Sequence, residues 1–203
     1  MAAYLRSRFG EITGIAFVDS TALAVCGNKR IRRNRVFEGQ AKLSRTTIGW
    51  FFGFKVHLII NDHGELLGIR VTPGNTDDRF PVLKMCRHLV GKLFGDKGYI
   101  STQLTADLLQ QGVRLVTGLR KNRKEKPLPL WDKLLLRKRS LIETVIDQLK
   151  NISQIQHTRH RSPTNVLAGL VAYTHQPEKP SLNLTPEEIQ QLEALANAQL
   201  LVA

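Results

Sequence analysis

The hydrophobic pattern of the chain predicts short strands and helices in alternation. Five short apolar runs, each bounded by glycine, proline or other turn residues, predict β-strands at 13–18, 51–60, 66–72, 92–94 and 113–117. Three stretches with apolar residues at helical spacing predict α-helices at 77–89, 102–111 and 131–155. The turn at 61–64 joins the second and third strands into a hairpin, and the polar, basic segment 26–44 is predicted to be a loop.

The order of these elements indicates the fold class. Three strands come first, and helices and strands then alternate up to a long final helix. A hairpin followed by such an alternation predicts an α/β architecture, in which helices cover the faces of a mixed sheet. This order matches a ribonuclease-H-like fold. We expect that domain to occupy residues 1–176.

The remaining residues, 177–203, are predicted to form a linker and a short amphipathic C-terminal helix. Thr185 provides an N-cap, Pro186 the first helical position and Glu188 the acid three residues after the cap. Apolar residues then recur at helical spacing, at Ile189, Leu192, Leu195 and Ala196. This stripe would dock on the body of the protein or on a partner chain.

The charge of the chain is its most unusual bulk property. Its 203 residues are 42% hydrophobic, which is enough for one domain with a real core, and they carry a net charge of +13. The region from residue 177 onward carries −3, so residues 1–176 carry +16. Such a body attracts polyanions, and nucleic acid is the usual one. A solubilising or ribosome-associated basic surface is the alternative interpretation.

Cysteine usage and hydropathy predict a cytoplasmic protein. Cys26 and Cys86 have no metal-ligand spacing and make no disulfide framework, which fits a reducing compartment. The first residues lack the apolar run of a signal peptide, and no stretch of eighteen apolar residues exists to span a membrane. With its basic body, the protein is predicted to be cytoplasmic and associated with the nucleoid.

Three acidic residues stand where metal chemistry would place them. Asp19 ends the first predicted strand, Asp96 follows the fourth within a glycine-flanked bend, and Glu143 lies among apolar positions of the long helix. A carboxylate beside a core is costly unless it is paired or binds a cation. Three converging carboxylates would bind two Mg²⁺ or Mn²⁺ ions, with Asp19 bridging both ions and Asp96 and Glu143 holding one each. This is the chemistry of phosphodiester cleavage.

Each of these acids also has an ordinary structural explanation. Asp19 could cap a turn, and Asp96 could be a turn residue with a surface salt bridge. Glu143 could pair with Arg139 or Lys150 on its own helix.

Other acids compete as ligands. Asp147 lies one turn after Glu143 and is the best rival for the third position. Asp77 and Asp78 follow a Pro-Gly-Asn sequence that is typical of a helix start, so they rank lower.

The basic residues fit the same interpretation. Arg139, Glu143 and Lys150 fall on one face of the predicted helix, so the two cations would flank the metal site and hold phosphates. Three further clusters are expected to contact DNA, although any one of them could be a solvated surface. They are Lys29, Arg30, Arg32, Arg33 and Arg35; Arg120, Lys121, Arg123, Lys124 and Lys126; and Arg159, His160 and Arg161.

Trp131 follows a basic, proline-broken stretch at 120–129. An aromatic side chain there could stack on a base. The alternative is that Trp131 anchors the long helix to the core.

Several long motifs together resemble one known family. They are GIAFVDSTALAVC, NKRIRRNRVFEG, GWFFGFKVHLIIN, TPGNTDDR, KLFGDKGYIS, PLWDKLLLRKRSLIETVIDQLKNISQI and HTRHRSP, and they cover roughly residues 9–182. The chain resembles the DDE transposases of bacterial insertion sequences, specifically insertion-sequence family nine-eighty-two. The resemblance implies a ribonuclease-H-like catalytic core that acts on double-stranded DNA, as a homo-oligomer, at insertion-sequence ends and targets.

By matched motif, the resemblance assigns the metal ligands to Asp19 in VDST, Asp96 in GDKGY and Glu143 in LIETV. The spacing of Arg139, Glu143 and Lys150 is similar to the family's signature of Tyr, Arg, Glu and Lys. Leu136 stands in the place of the Tyr, so a role of that Tyr is not expected here.

The chain also departs from the family pattern. Relatives look longer at the N-terminus by roughly a domain of about 100 residues, the segment 165–173 is about one helical turn shorter here, and the tail after Leu184 has no counterpart. We therefore expect an N-terminally truncated transposase. The first hypothesis is a catalytic domain for metal-dependent cleavage and strand transfer. The alternatives are an inactive DNA-binding remnant or inhibitor of full-length transposase, and a ribonuclease-H-like nuclease of another kind, such as a resolvase.

Overall fold

The architecture is taken from a computed structural model that describes residues 1–118, 128–156, 162–182 and 187–188. Its strands are β1 Ile15–Cys26, β2 Lys42–Thr46, β3 Gly49–Asn61, β4 Leu66–Pro73, β5 Gly91–Gly95 and β6 Val113–Thr117. Its helices are α1 Ala2–Ser7, α2 Val82–Met85, α3 Thr102–Gln110, α4 Leu130–Arg137, α5 Ser140–Asn151 and α6 Pro163–Thr174. Short 3₁₀ helices span Asn28–Arg33 and Lys97–Tyr99.

These strands form one mixed sheet, as the sequence predicts. β3 pairs antiparallel with β1 along one edge, and its other edge pairs first with β2 and then with β4. β5 runs parallel to β1, and β6 runs parallel to β5. The predicted α/β fold class is therefore confirmed, and parallel pairing brings the carboxyl end of β5 beside Val18, the fourth residue of β1.

Alternation along β1 divides the core into two layers. Phe17 packs with Phe94, Ile142 and Val145 in the layer under α4, α5 and α6. Its neighbour Val18 faces the opposite layer, with α2 and α3. Trp131 is 9% exposed and belongs to the first layer, so it anchors α4 to the core and its surface is not available to a base.

Several predicted boundaries are wrong for identifiable reasons. β1 continues to Cys26, because inward residues such as Leu23 and Val25 extend the alternation beyond Asp19. The predicted loop 26–44 contains a 3₁₀ helix and the start of β2, and only Val82–Met85 of the predicted helix 77–89 is α-helical.

The predicted single helix at 131–155 is two helices, α4 and α5. At the break, Leu141 N donates to Lys138 O and Ile142 N to Arg139 O, so hydrogen bonds to the third preceding residue replace bonds to the fourth. No glycine or proline marks this place, so no local signal predicts the break. The short helix α1 was not predicted either.

Some predicted features lie outside the described residues. These are the apolar stripe of the C-terminal helix and the basic clusters at 120–126 and 159–161. Glu188 is described, and it forms an ion pair with Lys138 at 3.1 Å. None of the described helices is both long enough and apolar enough to cross a membrane.

Candidate active site

The register between β1 and β5 brings two of the predicted acids together. Phe17 is the partner of Phe94, and their rings lie 5.6 Å apart. Asp19 and Asp96 each come two residues later, and Asp96 keeps an extended backbone. Because side chains alternate along a strand, both carboxylates project from the sheet face that carries the two phenylalanines. That is the face covered by α5.

The third acid arrives from the start of α5. Arg139 stands at the N-cap of this helix and Glu143 in its first turn. The Arg139 guanidinium donates from Nη1 to Asp19 Oδ2 at 3.2 Å and from Nη2 to Glu143 Oε1 at 2.6 Å. One cation thus bridges two of the three predicted ligands, and the expected ion pair of Glu143 with Arg139 is present.

Asp19 lies in an environment that opposes its ionisation. The pKa of its carboxyl is raised to about 6, mainly by burial and to a lesser extent by the negative charges of Asp96 and Glu143. A hydrogen bond from the Ser20 backbone and the charge of Arg139 act in the opposite direction. A site that penalises a carboxylate in this way favours the arrival of a cation.

Asp96 caps a short helix and also keeps an accessible carboxylate. Its Oδ1 accepts a hydrogen bond from Gly98 N at 2.8 Å, which caps the short 3₁₀ helix Lys97–Tyr99. The turn role that the sequence offered as an alternative for Asp96 is therefore present, as a cap of this short helix. The side chain is exposed, so capping leaves the carboxylate accessible.

The rival acids are placed elsewhere. Asp147 is exposed and accepts from Asn151 Nδ2 at 2.6 Å, and it is absent from the charges that shift the pKa of Asp19. Asp77 pairs with Arg79. These placements favour Glu143 as the third ligand.

Lys150 lies two turns beyond Glu143, about 10 Å further along the helix. It is half-buried, and burial lowers the pKa of its ammonium while the charge of Asp147 raises it. The structure therefore brings Arg139 to the acids and leaves Lys150 further along α5.

The three carboxylates are suitable ligands for a hard divalent cation, although their side chains do not converge on one point. Among the described residues, no group of three His, Cys, Asp or Glu side chains stands close enough to hold a metal ion. Arg139 explains this, because its guanidinium lies between Asp19 and Glu143. Carboxylate oxygens are the ligands that Mg²⁺ and Mn²⁺ prefer. The residues fit such ions if Arg139 turns away from the acids.

The basic cluster at Lys29, Arg30, Arg32 and Arg33 lies away from these acids. It forms the exposed 3₁₀ helix that follows β1. Cys26, the last residue of β1, is about 23 Å from Asp19 at the usual rise of an extended strand. The predicted contacts at Arg159, His160 and Arg161 lie outside the described residues.

A polar network on the opposite sheet face was missed by the sequence analysis. Asp78 Oδ1 accepts from Ser20 Oγ at 2.8 Å and pairs with Lys55 Nζ at 3.0 Å. The same oxygen lies 3.9 Å from Nδ1 of His57, which is fully buried. Ser20 follows Asp19 directly, so this network fixes the strand that carries the candidate ligand. The signal was present as Lys55 and His57 at alternate positions of an apolar strand.

His57 predicts a pH dependence of stability. Burial is the main cause that lowers its pKa to about 4, with Lys55 acting in the same direction and Asp78 in the opposite one. The unfolded chain takes up this proton near pH 6.5, so the stabilisation is complete above that pH and is lost as the pH falls toward 4. We expect the wild type to lose about 2 kcal/mol more than His57→Gln between pH 6.5 and 4.5.

Urea unfolding of both proteins at the two pH values measures this difference. Thr72→Val is the matched control, because it removes the partner of His57 Nε2 at 2.8 Å and keeps the imidazole. Parallel losses in the wild type and His57→Gln would show that His57 does not titrate in this window.

Comparisons with known proteins place this geometry in context. In the cryo-EM structure of a piggyBac transposase synaptic complex with hairpin DNA, a chain matches with a TM-score of 0.50 at 11% identity. The match covers 81% of this chain and 46% of that one. A simian T-cell lymphotropic virus intasome with the PP2A regulatory subunit B56 gamma matches with a TM-score of 0.37 at 11% identity, over 88% and 54%. The chain thus spans about half the length of either.

The fold and the family are shown by different comparisons. The piggyBac match supports the ribonuclease-H-like fold, and a comparison with curated protein sequences gave no match. A family model described as the transposase DDE domain matches residues 9–163, which is most of the chain. The chain belongs to the family of transposase DDE domains.

Proposed function

We propose that residues 1–176 form the catalytic domain of a DNA transposase that cleaves phosphodiester bonds and transfers strands at insertion-sequence ends. The observation that carries this proposal is the placement of Asp19, Asp96 and Glu143 toward one sheet face, with a raised pKa at the most buried of them. Membership of the transposase DDE domain family supports the same activity. The resemblance to insertion-sequence family nine-eighty-two supports the narrower assignment.

The three carboxylates would hold two Mg²⁺ or Mn²⁺ ions. Such ions activate a water or a 3′-hydroxyl and stabilise the leaving oxygen of a phosphodiester. Asp19 would contribute the central ligand, because both other acids are near enough to raise its pKa and burial opposes its ionisation unless a cation is close. Arg139 would leave the acids and donate its planar guanidinium to a phosphate.

The partner would be double-stranded DNA, both at the element ends and at the target, and the active form would be a homo-oligomer on DNA. The net charge of +16 over residues 1–176 supports a polyanionic partner. A cytoplasmic, nucleoid-associated location follows from that partner.

Mn²⁺-dependent nicking of supercoiled plasmid tests the proposal. The purified chain should convert supercoiled circles to nicked circles with Mn²⁺ and leave them intact with EDTA. Joining of a labelled 3′-hydroxyl end to plasmid then separates strand transfer from the plain cleavage of a resolvase-like nuclease. Absence of nicking, with DNA binding retained, would contradict the catalytic proposal for this chain.

A second candidate function is a DNA-binding remnant that inhibits a full-length transposase. The bridging position of Arg139 favours it, because its guanidinium already pairs with two of the acids without metal. This candidate predicts DNA binding without nicking, and binding that Asp19→Ala does not change.

DNA binding should weaken steeply with salt under either candidate. If Lys29, Arg30, Arg32 and Arg33 each contact a phosphate, affinity should fall about a hundredfold between 50 and 200 mM salt, because the contacts release counterions. Replacing these four by serine should flatten the logarithmic salt slope by about 3.6. Fluorescence anisotropy of a labelled duplex over a salt series measures the slope. An unchanged slope would mean that the cluster is only a solvated surface.

A further inference from the structure

The hairpin formed by β2 and β3 exposes apolar side chains at its turn. Trp50 is 57% exposed and Ile48 is 98% exposed. The other tryptophan, Trp131, is buried, so the exposure of Trp50 is not a general property of this residue type in the molecule. An exposed indole with one free face is a stacking platform for a base.

A basic residue lies opposite Trp50 on the hairpin, and a basic 3₁₀ helix begins beside it. Arg45 is the cross-strand partner of Trp50 and is itself exposed. Asn28 Nδ2 donates to Trp50 O at 3.0 Å, which docks the start of the basic 3₁₀ helix beside the hairpin. Residues 27–50 contain seven basic residues and one acid, and no ion pair among the described residues engages any of the seven.

We propose that the hairpin from Lys42 to Gly53 is a nucleic-acid binding site in which Trp50 stacks on an unpaired base. Arg45 and the 3₁₀ helix Asn28–Arg33 contact the flanking phosphates. The ligand class is single-stranded or locally unpaired DNA, because an indole stacks on a base only where that base has left the duplex stack. This site rests on the proposed function, and it specifies that the DNA substrate is unpaired where it meets Trp50.

Charge argues for DNA over a second copy of the chain. Self-association through the hairpin would bring two sets of seven cations together, and like charges at close range are repulsive. Lys42 and Arg45 lie on β2, the strand that ends this side of the sheet, and charged edge residues oppose strand-to-strand pairing between molecules. A polyanion removes both objections.

The hairpin and the candidate active site share one strand. Asp19 is paired with Leu58 of β3, and Trp50 lies eight residues earlier on that strand. The separation is about 26 Å at the rise of an extended strand. DNA that reaches from the acids to Trp50 would therefore span about eight nucleotides at 3.4 Å per step.

Tryptophan fluorescence in a Trp131→Phe background tests the stacking. We expect a dT20 oligonucleotide to quench the remaining emission by more than half, because the indole would be covered by a base. Trp50→Ala should bind dT20 about tenfold to a hundredfold more weakly. Trp50→Phe should keep most of the affinity, and Phe80→Ala, which removes an aromatic side chain that is 71% exposed elsewhere, should bind as the wild type. Circular dichroism of every variant confirms folding.

Two further observations separate this site from the catalytic proposal. Quenching by dT20 should persist in Asp19→Asn. If the protein with intact acids shows quenching but no plasmid nicking, the stacking site is supported and the catalytic proposal is removed. Unchanged emission together with equal affinity of Trp50→Ala would overturn the stacking site, whatever the nicking result. A shift of emission with protein concentration in the absence of DNA would overturn it in favour of a second copy.

Discussion

Replacing Asp19, Asp96 or Glu143 by its amide is expected to abolish Mn²⁺-dependent nicking of supercoiled plasmid. Each amide keeps the shape of the side chain and removes one negative charge from the face shared by β1, β5 and α5. Metal ions in such sites supply several kcal/mol of transition-state stabilisation, so a lost ligand should cost about a thousandfold in rate or more. The initial rate of nicked-circle formation, measured at saturating Mn²⁺, gives the value for each variant.

Asp147→Asn is the matched control for Glu143→Gln. Both residues are exposed on α5, one turn apart, but only Glu143 contacts Arg139. The control should nick as the wild type does. Nicking retained in Asp19→Asn, Asp96→Asn or Glu143→Gln would remove that residue from the ligand set, and loss of nicking in Asp147→Asn would move the third ligand to it.

The candidate ligands could be found from the sequence because each one stands next to apolar residues of a predicted strand or helix. Asp19 follows a buried run and Asp96 ends a short strand, and these positions persist even though β1 is longer than its apolar run. Parallel pairing of β1 with β5 then sets them side by side. Glu143 could be selected because it stands among apolar positions of the predicted helix and four residues after Arg139, although its side chain is exposed in the structure.

The position of Arg139 could not be predicted in the same way. Its spacing from Glu143 permitted the ion pair, but its contact with Asp19 joins residues 120 positions apart in the sequence. That contact depends on where α4 ends and α5 begins, and the break is set by packing of both helices on the sheet. No glycine or proline marks it.

Asp78 illustrates a second limit. Local sequence suggested a helix start at this position, and the neighbouring Asp77 does make a local contact of this kind, with Arg79 two residues later. The partners of Asp78 come from β1 and β3, which only the folded sheet brings together. Long-range polar contacts of this kind leave no periodic trace in the sequence.

The second large effect concerns stability, and Asp19→Asn should make the metal-free protein more stable at pH 7. Burial, together with the nearby acids, raises the folded pKa of Asp19 to about 6 from its ordinary value of 3.8. Between these values the unfolded chain is ionised while the folded protein holds the proton, so the free energy of unfolding falls as the pH rises. Above pH 6 the loss is complete and amounts to about 3 kcal/mol at most.

Urea unfolding in EDTA at pH 4 and pH 7.5 measures this effect. The advantage of Asp19→Asn should nearly disappear at pH 4, where the wild-type carboxyl is protonated in the folded state. Asp147→Asn should differ from the wild type by less than about 0.5 kcal/mol at both pH values, as expected of an exposed position. Equal stability of Asp19→Asn and the wild type at pH 7.5 would mean that the ionised carboxylate of Asp19 does not destabilise the folded protein.

Mn²⁺ should reverse this order. A cation that binds only the folded wild type stabilises it by mass action, whereas Asp19→Asn lacks the central ligand and should gain little. The penalty at Asp19 in the metal-free protein and the gain on binding would then have one cause, because both arise from a buried carboxylate that lies near two other acids and lacks a divalent cation. If Mn²⁺ stabilised both proteins equally, the ion would bind elsewhere, and the unfavourable state of Asp19 would have no part in holding metal.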